Sequence, residues 1–554
     1  MNRRQFMGGA ALGPLAGAAA AQPAPGSDEV RYVNRKEGSH PFRLRKVGAR
    51  PHIFLICLDM VSPDQYLPSR RLQREMELPA MRGLMADGVS FTNAFCTISI
   101  CAPSRASLYT GRHPYVMANP GGGPAGMESI LRAQDVIFPE YLKATGYRTR
   151  NAGKNHVGAQ KFMDAFDELD SNWNAHMPVV ERDEGYQAHL RRWGIKMPRY
   201  GRQILALEPD RKTPRNQEYG GWIEQSDGKP FPLEGQYSSY LSRWAVQKVD
   251  DALASNSGGW PVYLQLNIYD PHKPFTIPDG FQKSEERLRK AISLPDSFQQ
   301  AAARDFRPAP GDPPLLDIFR KQWGFYRPEA AKDFMVGNAL AMEVADRAVG
   351  EFIRALKQRG IYDASLIILT ADHGEMNCHL GLIDKGCYIH PETQRVPLVI
   401  KPPAGIGVRN RTVDSPVSLL DIASTVCDVA GVEPLDRMDG MSLVPGLKGA
   451  EMPPGRELMF QTGWQITGNP ACGTERWEPN GRHHMFVYNV ASATDELYDL
   501  NDPDPQNLAH RPEHKGVRSE MAQRMFELIR KDPRWGCYGA GFQMQHYSDI
   551  HPAT

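Results

Sequence analysis

An α/β fold with a large, mostly parallel central sheet is what this sequence predicts, and three observations carry it. Several apolar runs are long and unbroken, the mark of strands covered on both faces. Helical patterns alternate with them. The runs end on polar side chains, at the strand ends where ligands of such sheets gather. The first run is HIFLICLD, from His52 to Asp59. LPAMRGLMADG follows with helical spacing and Gly88 as its stop. WPVYLQLNIYD is a second strand and leads into Asp270-Pro271-His272. NALAMEVADRAVGEFIRAL, from Asn338 to Leu356, has the apolar period of a helix, and ASLIILTADHGE after it is a buried strand ending on Asp372-His373. PLVIKPPAG and the helical SLLDIASTVCDVAGV complete the main body. Asp59, His272, Asp372 and His373 all lie just past strand ends, so they are expected to share one site.

Residues from about 165 to 330 are more polar, rich in Trp, Pro and Arg, and read as insertions and loops around the sheet's active edge. After about 435, short strand-like pieces (HHMFVYNV, ELYDL) and a helix near 517–530 predict a small α+β subdomain. The expected division is an export signal over 1–21, a catalytic domain over 50–434 and a C-terminal subdomain over 435–554.

The 554 residues are 41% hydrophobic with a formal net charge of +1, enough chain for a large core. Near-neutral charge gives no electrostatic case for nucleic acid or an anionic membrane as main partner. The leader MNRRQFMGGAALGPLAGAAAAQPAPG places Arg3-Arg4 ahead of a mild apolar stretch that ends in small residues. That layout is an export signal of twin-arginine type, too weakly apolar to insert stably in a bilayer. A mature protein starting near Gln22, in a bacterial periplasm or outside the cell, is expected. The eight cysteines do not make a disulfide scaffold. Cys57 and Cys427 read as packed hydrophobes, Cys378–Cys387 and Cys472–Cys537 are pairs that oxidation would permit, and the lack of a CxxC repeat argues against structural zinc.

One stretch, CAPSRASLYTGRHP from Cys101 to Pro114, organises the rest. It resembles the CxPSRxxLxTG signature of the type I sulfatases, in the alkaline phosphatase-like superfamily. Gly153-Lys154-Asn155-His156-Val157-Gly158 resembles the family's GKxHxG, and Asp270-Pro271-His272-Lys273-Pro274-Phe275 its PHxPF. TADHGEMNCHLGLIDKGCY, RVPLVI, DGMSL and ELYDLNDPDPQNLA follow in family-like order.

The resemblance implies that Cys101 is oxidised to formylglycine (3-oxoalanine) by a maturation enzyme. A Ser or Cys nucleophile would leave a stable ester on the protein, whereas a hydrated aldehyde has two hydroxyls on one carbon. One attacks sulfur, and deprotonating the other expels sulfate and restores the aldehyde, which splits a hard step in two. Pro103 and Ser104 suit a helix start, where negative charge is stabilised. The resemblance further implies one Ca2+ or Mg2+ held by Asp59, Cys101, Asp372 and His373. Arg105 would hold the aldehyde hydrate, Lys154 the sulfate, and His156 would be the base. His272 and Lys385 would contact sulfate and protonate the leaving alcohol. Met60 departs from the family, which often has a second acidic or amide residue there; a thioether suits a hard cation poorly, and water, another residue or Asp64 would have to replace the oxygen. His379 either faces substrate or lies on the surface, His113 ends its helix, and Trp173, Trp193, Trp222, Trp244 and Trp323 serve as sugar platforms or core packing.

The function this implies is hydrolysis of a sulfate monoester, with a carbohydrate as the expected carrier. The alternatives are a phosphodiester or phosphonate monoester hydrolase on the same altered cysteine, and a degenerate member that only binds sulfated glycans.

Overall fold

The computed structural model describes residues 30–114, 131–255, 259–462 and 470–535, apart from short gaps at 37, 46, 132–133, 158–159, 173–174, 208–213, 387 and 479, and also 542 and 546. The export signal, Trp173, Cys387 and Cys537 lie outside the described residues.

Eight strands form the central sheet: β1 (Ile53–Asp59), β2 (Val89–Phe91), β3 (Arg148–Gly153), β4 (Glu168–Leu169), β5 (Val262–Pro271), β6 (Leu366–Ala371), β7 (Leu398–Lys401) and β8 (Arg411–Val413). Their order is β8-β2-β7-β6-β1-β5-β3-β4. The run β6-β1-β5-β3-β4 is parallel throughout, and only β7 runs against its neighbours. Every residue of β1, β5 and β6 is buried, which is why their sequences are continuously apolar rather than alternating. The site follows from this order: β6, β1, β5 and β3 are adjacent and co-directional, so four carboxyl ends open at one place.

Helices cover both faces. The 31-residue Pro328–Gln358 helix packs on β5 and on the Tyr237–Ala254 helix, which itself lies against β3 and β5. The second of these falls within the stretch expected to be insertions and loops. Its sequence, YSSYLSRWAVQKVDDALA, is diluted with Ser, Gln and Asp, and this hides the apolar period. The same stretch also contains an antiparallel hairpin, Pro198–Leu207 with Pro214–Gln225. Ahead of residue 50, Val30–Arg35 and Gly38–Leu44 pair with each other and then with Val432–Pro434, so the chain before the expected catalytic domain is part of the folded body. The C-terminal expectation holds as a four-stranded antiparallel sheet, Glu457–Thr462, Ala471–Trp477, His483–Asn489 and Thr494–Asp499, with the helix Lys515–Lys531 beside it. Among the described residues no helix is long and apolar enough to cross a membrane.

Gly153 ends β3 with φ +85°, and a Cβ there would stand 1.9 Å from the Asn267 carbonyl oxygen. Only glycine combines that backbone with that approach. Gly153→Ala is expected to lose at least about 1 kcal/mol of stability, read as a lower urea midpoint.

Candidate active site

Cys101 opens the α-helix Cys101–Thr110, all ten residues of which are buried. The motif residues have specific tasks. Ser104 Oγ donates to the carbonyl of Asp372 at 2.5 Å, tying the helix to the end of β6. Gly111, in the left-handed region at φ 65°, caps the helix, its N–H bonding to Ser107. Arg105 is fully buried: its Nε donates to Asp372 Oδ2 at 2.8 Å, its Nη1 to the Lys154 carbonyl at 2.6 Å, and its Nη2 lies 3.7 Å from Asp59 Oδ2.

The expected site residues converge. Cys101 Sγ stands 3.1 Å from His373 Nε2 and 3.9 Å from Asp59 Oδ1. His373 Nδ1 faces its neighbour's carbonyl, Gly374 O, at 2.9 Å, and that contact aims Nε2 at the cysteine. Lys154, buried, pairs with Asp59 Oδ2 at 2.5 Å. Lys385 Nζ donates to His272 Nε2 at 2.7 Å, and His272 Nδ1 is taken by the Lys273 carbonyl. His156, half-buried at φ 55°, has a nitrogen within 4.8 Å of Cys101 Sγ, and its Nδ1 has no hydrogen-bond partner among the described residues.

Charges set the protonation. Burial opposes a thiolate at Cys101, but Lys154, Lys385 and His373 outweigh it and hold the thiol well below its usual range. Burial likewise opposes the Asp59 carboxylate, and Lys154 is the chief group that keeps it ionised. Burial works against the His373 imidazolium, yet Asp372 and Cys101 raise it to about 9. Burial and then Lys385 lower His272, which keeps its imidazole neutral and able to accept from Lys385.

The metal expectation can be tested on the donor set. Ligand atoms of Asp59, Cys101, Asp372 and His373 all lie within 4.8 Å of one another, and all four residues are buried. Two carboxylates and an imidazole around one point, with an oxygen in place of sulfur on oxidation, suit a divalent cation. Met60 supplies no oxygen from its side chain. Its backbone sits at φ 60°, its N–H donates to Asp372 Oδ1 at 3.1 Å, and its Sδ lies 3.7 Å from Lys385 Nζ. It orients a carboxylate and packs against the lysine.

Asp64 does not replace the missing oxygen. It belongs to a second buried cluster, bonded to Arg70 at 3.3 Å, Asn377 at 2.9 Å and His379 at 3.2 Å. His379 corrects the expectation in both its forms. Its side chain is 3% exposed, which rules out a surface role, and Asp64 and Asp504 occupy its two nitrogens, leaving none for substrate. His113 lies beyond the helix end, its ring edge-on to Trp535. Trp222, Trp244 and Trp323 pack against the core, while Trp193 is 51% exposed beneath Arg243. Cys57, Cys378, Cys427 and Cys472 are all buried, and Cys378 donates to the Ala331 carbonyl.

Residues to which the sequence assigned no task also belong here. Asp384 bridges Lys273 at 2.8 Å and Lys385 at 3.1 Å. Asn267 accepts from Arg105 at 3.4 Å, and its amide joins Asn151, Asn155 and Gln265 in a buried network below the site. His176 reaches the site from a loop.

Residues 51–432 match the family described as Sulfatase, and residues 378–531 match the N-sulphoglucosamine sulphohydrolase C-terminal region. The chain is similar to arylsulfatase K of Bos taurus, 24% identical over 93% of this chain and 86% of that protein. It is also similar to N-acetylglucosamine-6-sulfatase of Homo sapiens, 25% identical over 72% of this chain and 65% of that protein. Among solved structures, a phosphonate monoester hydrolase from Silicibacter pomeroyi shares the fold with a TM-score of 0.63 at 21% identity, over 87% of this chain and 95% of that one.

Proposed function

Because this chain belongs to the sulfatase family, we propose that its site hydrolyses a sulfate monoester carried on a carbohydrate, with oxidised Cys101 as nucleophile and a divalent cation on Asp59, Asp372, His373 and the Cys101 side chain. The observation that carries the reading is Cys101 itself. It is one buried nucleophile position at a helix N-terminus, within 3.1 Å of His373, with Arg105, Lys154 and Lys385 around it. That concentration of positive charge is what a tetrahedral sulfuryl group, with its anionic oxygens, requires.

A hydrated aldehyde at Cys101 supplies one hydroxyl to attack sulfur and a second whose deprotonation releases sulfate. A divalent cation, calcium or magnesium, supplies charge that offsets the sulfate oxygens. The chain's own groups do the rest. Arg105 holds Asp372 and approaches Asp59, so both carboxylates keep their orientation. Lys154 neutralises Asp59 and, acting on the Cys101 position, would bind the sulfate. His156, with a ring nitrogen within 4.8 Å of Cys101 Sγ, is placed to take the proton of the second hydroxyl. The Lys385–His272 pair holds a proton between Nζ and Nε2, available to the departing alkoxide. The name of the human relative, an N-acetylglucosamine-6-sulfatase, supports a sugar as carrier. The basic, apolar, small-residue leader supports export, and the reading requires a formylglycine-generating partner.

Side-by-side rates on an aryl sulfate and an aryl phosphodiester test the reading. Sulfate turnover is expected to dominate. Dominant phosphodiester turnover would replace it with a phosphodiesterase on the same site.

A further inference from the structure

The loop between Leu169 and Val180 brings to the site a histidine that the reaction above does not employ. The His176 ring lies 5.2 Å from that of His156 and 5.2 Å from that of His272, the two histidines given opposite proton tasks. One of its nitrogens is within 4.8 Å of Cys101 Sγ and of a His156 nitrogen. Cys101 and His272 are buried and His156 is half-buried, whereas His176 is exposed. His176 is therefore the outermost of the group.

The position is built rather than incidental. Asp170 accepts from Gly153 N–H at 2.7 Å, at the strand end that carries Lys154 and His156, and from Asn172 N–H at 3.0 Å. The Asn172 side chain donates to Asp183 at 2.8 Å and accepts from Val179 N–H at 3.1 Å. Its carbonyl accepts from Tyr269 OH at 2.8 Å and from Ala175 N–H at 2.9 Å. A loop pinned on both sides of residue 176 fixes its backbone before any ligand arrives, and the ring rests against those of His156 and His272, which is what a preorganised contact needs.

In-line attack places the leaving oxygen on the side of sulfur opposite the Cys101 atom, toward the mouth of the site. The sulfate oxygens would be met from the floor by Lys154, beside the Asp59 and Asp372 carboxylates that would hold a cation. We propose that His176 is a substrate-contacting residue for the leaving group, hydrogen-bonding a sugar hydroxyl beside the sulfated position. An imidazole presents one donor and one acceptor, which matches a hydroxyl, and the ring of 4-nitrophenyl sulfate carries no hydroxyl beside its ester. The inference rests on the sulfatase reading and goes beyond it by assigning the residue that recognises a carbohydrate.

The test measures His176→Ala and His176→Gln on 4-nitrophenyl sulfate and on a panel of monosulfated saccharides that includes N-acetylglucosamine 6-sulfate, with melting temperature as a control. For the alanine variant, kcat/KM on the best saccharide is expected to fall about 10–100-fold, mainly through KM, with the aryl sulfate changed by less than about threefold. Glutamine, which keeps a donor and an acceptor, is expected to restore part of the loss. Equal losses on both substrates or no loss on either would overturn the assignment and leave the sulfatase reading standing; a wild type that turns over the aryl sulfate but no saccharide would overturn the assignment together with the carbohydrate carrier, leaving sulfate monoester hydrolysis alone. A wild type that cleaves neither would remove that reading itself.

Discussion

Cys101→Ala abolishes sulfate release, with kcat/KM falling at least about 10⁴-fold, while the protein melts within a few degrees of wild type. The size follows from removing the one atom on which the covalent route depends; loss of a nucleophile that works as a unit with its base and cations costs that much or more. The unchanged fold follows from position. Cys101 is the first residue of a buried helix in which alanine has the better intrinsic propensity, and the hydrogen bonds that seat the helix belong to Ser104 and Arg105. Phosphate-free sulfate release and a thermal melt on the same preparation check both halves.

Arg105→Ala is the second large effect, and it appears in stability. The guanidinium is buried between Asp372 at 2.8 Å and Asp59 at 3.7 Å and also donates to the Lys154 carbonyl. Its removal leaves two buried carboxylates, Asp59 with Lys154 and both with the His373 ring at 3.7–3.9 Å, but without the guanidinium that bridges them. Breaking a buried ion pair from one side costs about 3–5 kcal/mol, since the surviving charge stays desolvated. The urea midpoint is expected to fall accordingly with an unchanged m-value. Arg105→Lys is expected to recover little, because one ammonium cannot reach Asp372 and the Lys154 carbonyl together as the planar fork does.

How much of this was legible in the sequence differed by element, for physical reasons. Strands buried on both faces must be apolar throughout, so β1, β5 and β6 declared themselves, and the polar residues ending them marked the site. The cysteine motif was legible because each of its residues has a local task, the serine as a tie to Asp372 and the glycine as a left-handed cap. The Pro198–Gln225 hairpin was not legible, because its residues carry no clean polar–apolar alternation. His379 looked like a surface or substrate histidine because its carboxylate partners, Asp64 and Asp504, are 315 and 125 residues away in the chain. By its side chain alone, Met60 is a gap in a ligand set. Its contribution comes from its backbone N–H, which side-chain identity does not report. His176 lies in a loop without periodicity, and only the turn closed by Asp170 and Asn172 brings it over Cys101.

Mass spectrometry of the Cys101 peptide from protein made in its native host, paired with sulfate release by that same sample, tests the central claim most directly. The peptide is expected to have lost its sulfur and to carry an aldehyde, trapped by a hydrazide reagent, and sulfate release is expected to scale with the converted fraction across preparations. Full activity from a sample whose Cys101 remains an unmodified thiol would contradict it.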